Sequence, residues 1–513
     1  MAQTTAVRLT GEDLTPADVW RVAVEGAGTE LDDSARKKMA AAREVVERAL
    51  ADEGPTYGVT TGFGRFVSTR VPSELAEELQ LRLLRSHACG VGEPYPDEVV
   101  RAAMLLRANA LARGYSGARV EVAELLLVCL DRGVLPEVPS RGSVGASGDL
   151  APLAHLALPL VGEGRARVDG QLMGGGEALA RVGLEPVRLQ AKEGLSLVNG
   201  TQFMGAFAAL GLVRARRLAK AADAACALSV EALQGSRGSF LPQIHELRPL
   251  RGQGASAANV LALLEGSAII EAHRWCNRLQ DAYSLRCAAQ VHGASRDLLD
   301  YVAYTTEIEL NAVTDNPLVL VEEGTMLSNG NFHGQPLGFA LDTLAMAVSE
   351  LASISERRTE RLVNPALSEG LPAFLATDGG LNSGFMIPQY VAASLVSENK
   401  ALCHPASVDS IPTSGGQEDH VAMGNASGLK AWQVLANAER VLAIELLAGA
   451  QAVEFHAPLE PGVGGRAAHG LVRSVSPRLG DDRALADDIE AVAAVIRDGS
   501  ALAAVEAEVG ELA

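Results

Sequence analysis

The stretch DEVVRAAMLLRANALARG, residues 97–114, places apolar side chains three and four positions apart. Because an α-helix turns once in about 3.6 residues, this spacing gathers them on the side of a helix that faces a core. The same spacing recurs in ARVEVAELLLVCLDRG (118–133) and across residues 257–293. Aromatic residues make up only 4% of the chain, whereas Ala, Leu, Glu and Arg are abundant. The sequence therefore predicts a mainly α fold.

The predicted architecture is a bundle of long, nearly parallel helices with a smaller N-terminal domain. We expect the N-terminal domain to span residues 1–110 and the helical-bundle domain to span residues 111–513. Short strands are expected at VRLTGEDL (7–14), LEPVRLQAKEG (184–194) and NPLVLVEEGTMLSN (316–329).

The charge balance limits the possible partners. The 513-residue chain has 63 acidic residues against 44 Lys and Arg, a net charge of −19. Negative charge repels phosphate backbones and anionic lipids, so neither nucleic acid nor a membrane is an expected partner. The start of the chain lacks the basic and apolar regions of a secretory signal, and no later apolar stretch is long enough to span a bilayer without a charge. We expect a soluble, cytoplasmic protein.

Neither the cysteines nor the histidines show a metal-binding pattern. The cysteines have no CxxC pair and no zinc-like spacing, and we expect them to be reduced and mostly buried: Cys89, Cys129, Cys226, Cys276, Cys287 and Cys403. His404, Asp409, Asp419 and His420 cluster in the sequence, but no HxxxH or HExxH spacing puts two ligands on one helical face. Three more histidines are expected to be structural: His155, His292 and His333. No metal site is predicted.

Glycine-rich breaks separate the predicted helices, at residues 58–64, 142–148, 172–176, 328–335 and 414–416. Loops of small and polar residues on a rigid helical frame are where binding and catalysis usually take place. Functional residues are therefore expected in these breaks.

The break in RGSVGASGDLAPLAHL, residues 141–156, has two ordinary interpretations. Ser147 or Asp149 could cap the following helix, with Pro152 in its first turn. The other interpretation is a loop that binds a phosphate group, but no Lys-Ser or Lys-Thr pair follows this loop and no buried strand precedes it. Neither accounts for the small residues at 145–148, which permit two backbone segments to approach closely. Such a turn could bring an amide nitrogen onto a carbonyl carbon.

Ala146-Ser147-Gly148 in this loop resembles the self-processing triad of the aromatic amino-acid ammonia-lyase family, which includes lyases for histidine, phenylalanine and tyrosine and related aminomutases. The resemblance implies that the nitrogen of Gly148 attacks the carbonyl of Ala146, that two waters leave, and that Ser147 becomes the methylene of a methylidene-imidazolone. This electrophile would be the cofactor, and no motif for an external cofactor is visible. A substrate amine that adds to it becomes a better leaving group, and a positioned base can take the β-proton.

The other breaks match further motifs of the family in the same order. In TYGVTTGFG, residues 56–64, the resemblance makes Tyr57 the base, on a glycine-rich loop suited to a mobile lid. Tyrosine is a weak base, so a positive field or hydrogen bonds near Tyr57 should stabilise its phenolate. Taken alone, Tyr57 could equally be an aromatic residue that packs in a turn.

The family pattern also assigns substrate-binding residues. Asn199 would bind near the substrate carboxylate or amine, Arg286 would clamp the carboxylate, and Phe332 would line the pocket. Gln280, Tyr283 and Arg286 are spaced by three residues, which predicts one side of a helix. Without the resemblance, Asn199 and Phe332 would be parts of turns, and the three-residue series would be a solvated face.

Two places bear on the substrate. Ser86-His87 falls where the family has its selectivity pair, and Ser-His points to histidine, although some aminomutases carry it too. His87 alone would be a helix C-terminal histidine that meets the last carbonyls. Glu418 matches an acid that the phenylalanine and tyrosine enzymes and the aminomutases generally lack, and a buried carboxylate can hydrogen-bond an imidazole. Met386 matches a pocket position of the histidine enzymes, though a buried Met is usually core.

The resemblance thus implies a carbon–nitrogen lyase that removes ammonia from L-histidine to give urocanate, the first step of histidine degradation. The alternatives are a phenylalanine or tyrosine lyase, an aromatic aminomutase of the same family, or a non-catalytic helical scaffold. A homotetramer is also implied, because family active sites combine loops from three subunits. Gly415-Gly416 and Ala282 depart from the residues common in the family, Ala-Asn and Pro, and could broaden the pocket.

Overall fold

A computed structural model describes residues 6–51, 57–275 and 278–513 and confirms the mainly α fold. The helices are α1 Pro16–Ala23, α2 Asp33–Ala51, α3 Ala76–His87, α4 Asp97–Ala112, α5 Val120–Asp131, α6 Leu150–Ala157, α7 Gly175–Arg181, α8 Glu193–Val198, α9 Gln202–Ala232, α10 Pro242–Glu246, α11 Arg251–Leu263, α12 Ala268–Ala272, α13 Tyr283–Arg286, α14 Ala288–Leu310, α15 Gln335–Val363, α16 Met386–Leu402, α17 Gly424–Val453, α18 Val463–Val475, α19 Ala486–Asp498 and α20 Ser500–Val509. Helices α4 and α5 confirm the predictions at 97–114 and 118–133. Helix α9 has 31 residues and α17 has 30, in keeping with the long helices expected.

The helical spacing across residues 257–293 does not form one continuous helix. The segment is divided among α11, α12, α13 and α14, and its residues 276 and 277 lie outside the described part. Gly266 has a φ of +73°, a left-handed conformation that ends the helical path. The Ser267 hydroxyl then accepts a hydrogen bond from the Ile270 amide and caps α12. Apolar periodicity alone did not reveal this break.

The strands are short and pair in small sheets. They are β1 Val7–Leu9, β2 Thr29–Leu31, β3 Val91–Pro94, β4 Leu135–Pro136, β5 Pro139–Arg141, β6 Arg165–Val168, β7 Gln171–Gly174, β8 Leu318–Leu320 and β9 Thr325–Leu327. Strands β1 and β2 are parallel, whereas β3–β5, β4–β6–β7 and β8–β9 pair antiparallel. Strand β1 and the β8–β9 hairpin, with Leu318 opposite Leu327, confirm the strands predicted at 7–14 and 316–329.

The strand predicted at 184–194 is wrong. The chain is irregular over residues 184–190 and forms a turn at Ala191 and Lys192, and α8 begins at Glu193. The Glu193 carboxylate accepts hydrogen bonds from the Gln190 amide and from Arg119 Nε, each at 2.7 Å. The Gln190 amide, which a strand would use to bond to a neighbouring strand, thus donates to a side chain instead, and this favours a turn.

The described residues form two compact units. The first lies within Met1–Val213, Val302–Asp342 and Pro405–Leu429, and the second within Arg214–Tyr301, Thr343–His404 and Lys430–Ala513. The border predicted between residues 110 and 111 falls inside α4, in the first unit. As a division between an N-terminal domain and a helical bundle, that border stays a prediction.

Helix α4 runs through the core of the first unit. Between Val99 and Ala112 every residue except Arg101 is buried. The helix also buries Arg107 and Asn109, which are 0% and 1% exposed. Buried polar groups of this kind need partners, and Asn109 donates to the Leu310 carbonyl at 2.9 Å.

The core of the second unit contains two buried ion pairs. Arg214 Nε lies 2.8 Å from Glu439 Oε1, and Arg358 Nε lies 2.5 Å from Glu445 Oε1. Removal of one partner from such a pair leaves an uncompensated buried charge, which is strongly destabilising. The long helices that carry these residues are therefore held in register by charge as well as by apolar packing.

Asp149 stands directly before α6, but its side chain makes no capping hydrogen bond to that helix. Asp149 Oδ2 instead accepts from the amides of Phe203 and Met204, at 2.9 and 3.0 Å, in the first turn of α9. Pro152 lies in the first turn of α6, as predicted. Burial raises the pKa of the Asp149 carboxyl to about 6, against the opposing effect of its hydrogen bonds. The predicted cap is wrong for α6 because the acceptor serves a helix distant in the sequence.

One described helix, α15, is apolar and long enough to cross a membrane by length and composition. In the most apolar 18-residue stretch of this helix, 67% of the residues are buried inside the protein, as in the core helices of many globular proteins. The sequence analysis did not single out this helix.

The five described cysteines are free. Cys129 and Cys226 are buried, Cys89 is exposed, and Cys287 and Cys403 are half-buried, so the expectation of mostly buried cysteines holds for two of them. Burial raises the pKa of the Cys129 and Cys226 thiols to about 12, which leaves both unreactive at neutral pH. Cys276 lies outside the described residues.

Replacement of Asp149 by Ala should destabilise the first unit. Two amides at the start of α9 would lose their acceptor, so we expect the free energy of unfolding to fall by roughly 2 kcal/mol. Asp149→Asn is the matched control, because it keeps an oxygen acceptor and should lose less. Urea unfolding followed by circular dichroism measures both, and an equal loss in the two variants would contradict this cap.

Candidate active site

The loop that carries Ala146, Ser147 and Gly148 folds against a second backbone segment at Gly200. A side chain at position 148 would place its Cβ 2.1 Å from the Gly200 carbonyl oxygen, and Gly148 has a φ of +77°. Both observations require glycine at this position. The Asp149 amide donates to the same carbonyl oxygen at 2.7 Å. The close approach of two backbone segments, predicted from the run of small residues, is therefore present.

Ser147 lies at the centre of a set of polar contacts. Its hydroxyl donates to Glu418 Oε1 at 3.0 Å, and its carbonyl oxygen accepts from Asn199 Nδ2 at 3.0 Å. Thr413 donates its hydroxyl to the other Glu418 oxygen, also at 3.0 Å. The first unit thus brings three predicted residues together from distant parts of the sequence.

A cavity of about 370 Å³ opens at Ser147, a size typical of small-molecule sites. It is lined by Tyr57, Phe63, Gly64, Arg65, Phe66, Leu83, His87, Ser147, Leu150, Leu195, Val198, Asn199, Ser414, Gly415 and Glu418. Five of the predicted site residues are among them: Tyr57, His87, Ser147, Asn199 and Glu418. Ala146 and Gly148 lie beside Ser147 in the same loop.

The sequence analysis missed the apolar wall of this cavity. Leu83 and His87 are four residues apart on α3, and Leu195 and Val198 are three apart on α8. Residues at these intervals share one face of a helix, so the helical period ahead of His87 and Asn199 was a signal for the wall. The contribution of Arg65 had no such signal, because it lies in a single 3-10 turn, Gly64–Phe66, that is too short to show a helical period.

Tyr57 accepts a hydrogen bond from the Gly64 amide, with 3.4 Å between Gly64 N and the phenol oxygen. Burial raises the pKa of Tyr57, the Gly64 hydrogen bond lowers it in part, and the negative charge of Glu418 raises it further. Of the two stabilising effects that were expected as alternatives, the hydrogen bond is present, and no positively charged group is among the causes of the Tyr57 pKa shift in the described residues. A Cβ on Gly64, which has a φ of +54°, would lie 2.5 Å from Ser414 Oγ, so this loop packs closely against the turn before Glu418.

His87 is the last residue of α3, and its Nδ1 lies 3.0 Å from the Leu83 carbonyl oxygen. The helix-terminal role of this histidine is thus confirmed together with its place in the cavity wall. Burial lowers the pKa of His87, while the Leu83 contact and the charge of Glu418 oppose that shift. The ring is therefore neutral at neutral pH, and because Nδ1 donates to a carbonyl, Nε2 is left as an acceptor.

The turn before Glu418 contains Gly415 and Gly416, which differ from the residues common in the family. Ser414, Gly415 and Gly416 have φ values of +53°, +62° and +85°. A Cβ at Gly415 would lie 3.8 Å from Arg65 Cγ, and one at Gly416 would meet nothing within 4 Å. Space would admit side chains at both positions, but the left-handed backbone favours glycine.

Phe332 lies in a loop that reaches the triad loop. The Gly334 amide donates to the Gly145 carbonyl oxygen at 3.2 Å. The Phe332 side chain is half-buried and is not part of the cavity lining. Its role in the pocket stays a prediction.

Four predicted residues belong to the second unit: Gln280, Tyr283, Arg286 and Met386. Gln280 is exposed and precedes α13, so the prediction that it shares a helical face with Tyr283 and Arg286 is wrong. The Arg286 guanidinium lies over the Tyr283 ring at 4.7 Å, and Arg286 Nε is buried without a hydrogen-bond partner among the described residues. Met386 begins α16. Their roles in substrate binding stay predictions.

Three histidines named as structural have ordinary partners. His155 Nε2 accepts from the Gly90 amide at 3.0 Å, and the buried His292 Nδ1 lies 2.7 Å from Asp223. His333 contacts the carbonyl of His420. Within the described ranges, no three His, Cys, Asp or Glu side chains are grouped so that they could hold a metal ion.

The chain was compared with known families, sequences and structures. A family described as aromatic amino acid lyase matches residues 14–474. A histidine ammonia-lyase of Gloeobacter violaceus is 55% identical over 504 residues, which cover 98% of each chain. A solved histidine ammonia-lyase from Trypanosoma cruzi has a TM-score of 0.91 at 45% identity and covers 98% of this chain and 96% of its own. A tyrosine aminomutase from Streptomyces globisporus has a TM-score of 0.93 at 39% identity, with 98% and 99% covered.

The helical fold and a cavity built around a Gly-Ala-Ser-Gly loop define a carbon–nitrogen lyase. The chain belongs to the aromatic amino acid lyase family. The resemblance drawn from the motifs is confirmed over almost the whole chain.

Replacement of Glu418 by Gln should change the pH dependence of the reaction. A carboxylate disfavours an anionic phenolate nearby, so loss of its charge should lower the pKa of Tyr57. We expect the rise of kcat/KM with pH to move to lower pH. Glu121→Gln, which removes an exposed charge on α5, should leave the profile unchanged. An unshifted profile for Glu418→Gln, or a shift to higher pH, would contradict the role of this charge.

Proposed function

We propose that the protein is a histidine ammonia-lyase, which eliminates ammonia from L-histidine to give urocanate. The observation that carries the proposal is the Glu418 carboxylate, which lies 3.0 Å from the Ser147 hydroxyl in a cavity that also contains His87. An acid here can hydrogen-bond the imidazole ring of a substrate, and a phenyl ring would leave that charge unpaired. Similarity to the Gloeobacter enzyme supports the same substrate.

The residues of the triad fit a methylidene-imidazolone. Gly148 has no room for a Cβ and is pressed against Gly200, and Ala146 is buried, so the loop is compact enough for a backbone ring to form. Asn199 holds the Ser147 carbonyl oxygen, and the buried Asn199 Oδ1 has no hydrogen-bond partner among the described residues. Such a group supplies an electrophile, which a substrate amine needs before it can leave as ammonia. Ala146, Ser147 and Gly148 would form it, and Asn199 would hold it.

Residues around the triad supply the rest of the chemistry. Tyr57 takes the β-proton, and the Gly64 amide stabilises the phenolate with its hydrogen bond. The lid loop around Phe63 and Gly64 excludes water from the cavity. Neutral His87 offers Nε2 as an acceptor toward the substrate ring or amine.

The carboxylate clamp and part of the pocket come from neighbouring subunits in this proposal. Arg286 binds the substrate carboxylate with its planar guanidinium, and Gln280, Tyr283, Phe332 and Met386 complete the site. We propose a homotetramer in which neighbouring subunits supply these residues. The exposed Tyr283 side chain, 71% accessible in a single chain, is in keeping with a place at a subunit contact. The proposed compartment is the cytoplasm.

A second candidate is an aromatic aminomutase. The tyrosine aminomutase of Streptomyces globisporus is close in structure, and a Ser-His pair occurs in some aminomutases. Glu418 favours the histidine enzyme, because a tyrosine ring gives a buried carboxylate no imidazole partner.

Absorbance over time tests the proposal directly, with L-histidine, L-phenylalanine and L-tyrosine in parallel. Each elimination product is a conjugated arylacrylate with its own ultraviolet band, and we expect turnover of L-histidine to exceed the other two by at least about 100-fold. Intact mass is measured on the same preparation, and we expect a chain lighter by two waters. Preference for L-tyrosine or L-phenylalanine would reject the substrate, and a full-mass chain without activity would favour a scaffold.

Glu418→Gln tests the selectivity argument. Without a carboxylate for the imidazole, we expect kcat/KM for L-histidine to fall roughly 10- to 100-fold relative to that for L-phenylalanine. Intact mass of the variant separates a binding defect from incomplete processing, because Glu418 also contacts Ser147. An equal loss for both substrates would show that Glu418 does not select the ring.

A further inference from the structure

Arg107 is a fully buried cation beneath the candidate active site. It lies in α4 with no exposed surface, and its Nη1 donates to the Asn199 carbonyl oxygen at 2.7 Å and to Gln202 Oε1 at 3.1 Å. Its Nε and Nη2 are buried without hydrogen-bond partners in the described part of the chain. A guanidinium so poorly satisfied is costly to bury, and its one well-bonded nitrogen points at the segment that carries Asn199.

Contacts continue from Arg107 to the triad through Gly200. A Cβ on Gly200 would lie 2.9 Å from Arg107 Nη1, so the guanidinium touches one side of this residue. On the other side, a Cβ on Gly148 would lie 2.1 Å from the Gly200 carbonyl oxygen. Asn199 forms a parallel link, since its carbonyl binds Arg107 and its Nδ2 binds the Ser147 carbonyl oxygen. The short segment 199–200 is thus held between the guanidinium and the triad.

The charges around Arg107 keep it protonated. Burial lowers the pKa of Arg107 to about 10, and the negative charge of Asp315 opposes that shift. Asp315 is itself paired with the buried Lys192, whose Nζ lies 3.0 Å away. Two buried cations therefore share one carboxylate under the segment that carries Asn199.

We propose that Arg107 is a positioning residue for closure of the triad ring: it fixes Asn199 and Gly200 as the platform against which Gly148 is pressed toward Ala146. The proposal rests on the proposed function, because it requires a triad that is processed.

In the step concerned, a bond forms between Gly148 N and the carbonyl carbon of Ala146. The Ala146 oxygen leaves as water with the protons of the Gly148 and Ser147 nitrogens, and a carbon–nitrogen double bond remains. The Ser147 hydroxyl leaves as a second water with the Ser147 Cα proton, which creates the methylene. No oxidant or reductant is needed. Reactions of this kind depend on contact distance, and a misplacement of about 1 Å can cost on the order of 100-fold in rate.

The test follows intact mass during cell-free synthesis of the full chain, with samples quenched at timed intervals. The wild-type chain should lose two waters, and in Arg107→Gln we expect that loss to be at least about 10-fold slower. Arg107→Lys keeps the charge without the planar fork and should recover part of the rate. Asn109→Ala is the matched control, because it removes a buried hydrogen bond from the same helix without touching residues 199–202. It should process like the wild type.

Folding is checked on the same samples by soluble yield and by thermal unfolding. Processing of Arg107→Gln at the wild-type rate would overturn the proposal, and so would an equal slowing in Asn109→Ala. If Arg107→Gln is insoluble, Arg107→Lys decides: a soluble variant that processes at the wild-type rate overturns the proposal, and a slower one supports it. A wild-type chain that stays at full mass would instead reject the proposed function.

Discussion

The contact between the backbones of Gly148 and Gly200 is the constraint on which the active site depends. A Cβ at position 148 would come within 2.1 Å of the Gly200 carbonyl oxygen, so two chain segments pass closer than any side chain permits. This compression orients Ser147 toward Asn199 and Glu418. Because interiors are close-packed, such a contact persists only if both segments are held from behind.

Buried polar groups hold the two segments. On the triad side, Asp149 donates its amide to Gly200 and accepts the first amides of α9 with its carboxylate. On the other side, Arg107 binds the Asn199 carbonyl oxygen from α4. A protein selected for stability alone would replace an under-satisfied buried arginine with an apolar residue. The presence of Arg107 in the core is therefore explained better by the geometry it imposes than by any gain in stability.

Much of the fold could be predicted from the sequence because periodicity is a local property. Helices α4 and α5 and the β8–β9 hairpin follow from spacing and composition alone. The failures arose where a side chain supplied or removed a backbone partner. Ser267 caps a new helix in the middle of an apolar run, and Glu193 takes the amide of Gln190 where a strand was expected. Neither effect changes the hydrophobic pattern.

The active site, like the fold, has features that could be predicted from the sequence and features that depend on contacts between distant residues. The resemblance of several motifs, in their order, to the aromatic amino-acid ammonia-lyase family predicted the cavity members Tyr57, His87, Ser147, Asn199 and Glu418. No pattern in the sequence predicted that Arg107 is buried beneath the site, since an arginine within an apolar helix is usually exposed to solvent. The effect of Glu418 on the pKa of Tyr57 was equally hidden, because the two residues lie several hundred positions apart in the sequence.

Glu418 acts on two groups at once, and its two effects are linked in the proposed reaction. Burial raises the pKa of Tyr57, and the negative charge of Glu418 raises it further in the free enzyme. An imidazole that hydrogen-bonds to Glu418 withdraws part of that negative charge from the cavity. We infer that binding of a substrate with the correct ring then lowers the pKa of Tyr57. In this proposal, recognition of the ring and activation of the base depend on a single carboxylate, and a phenyl ring in the same cavity would satisfy neither.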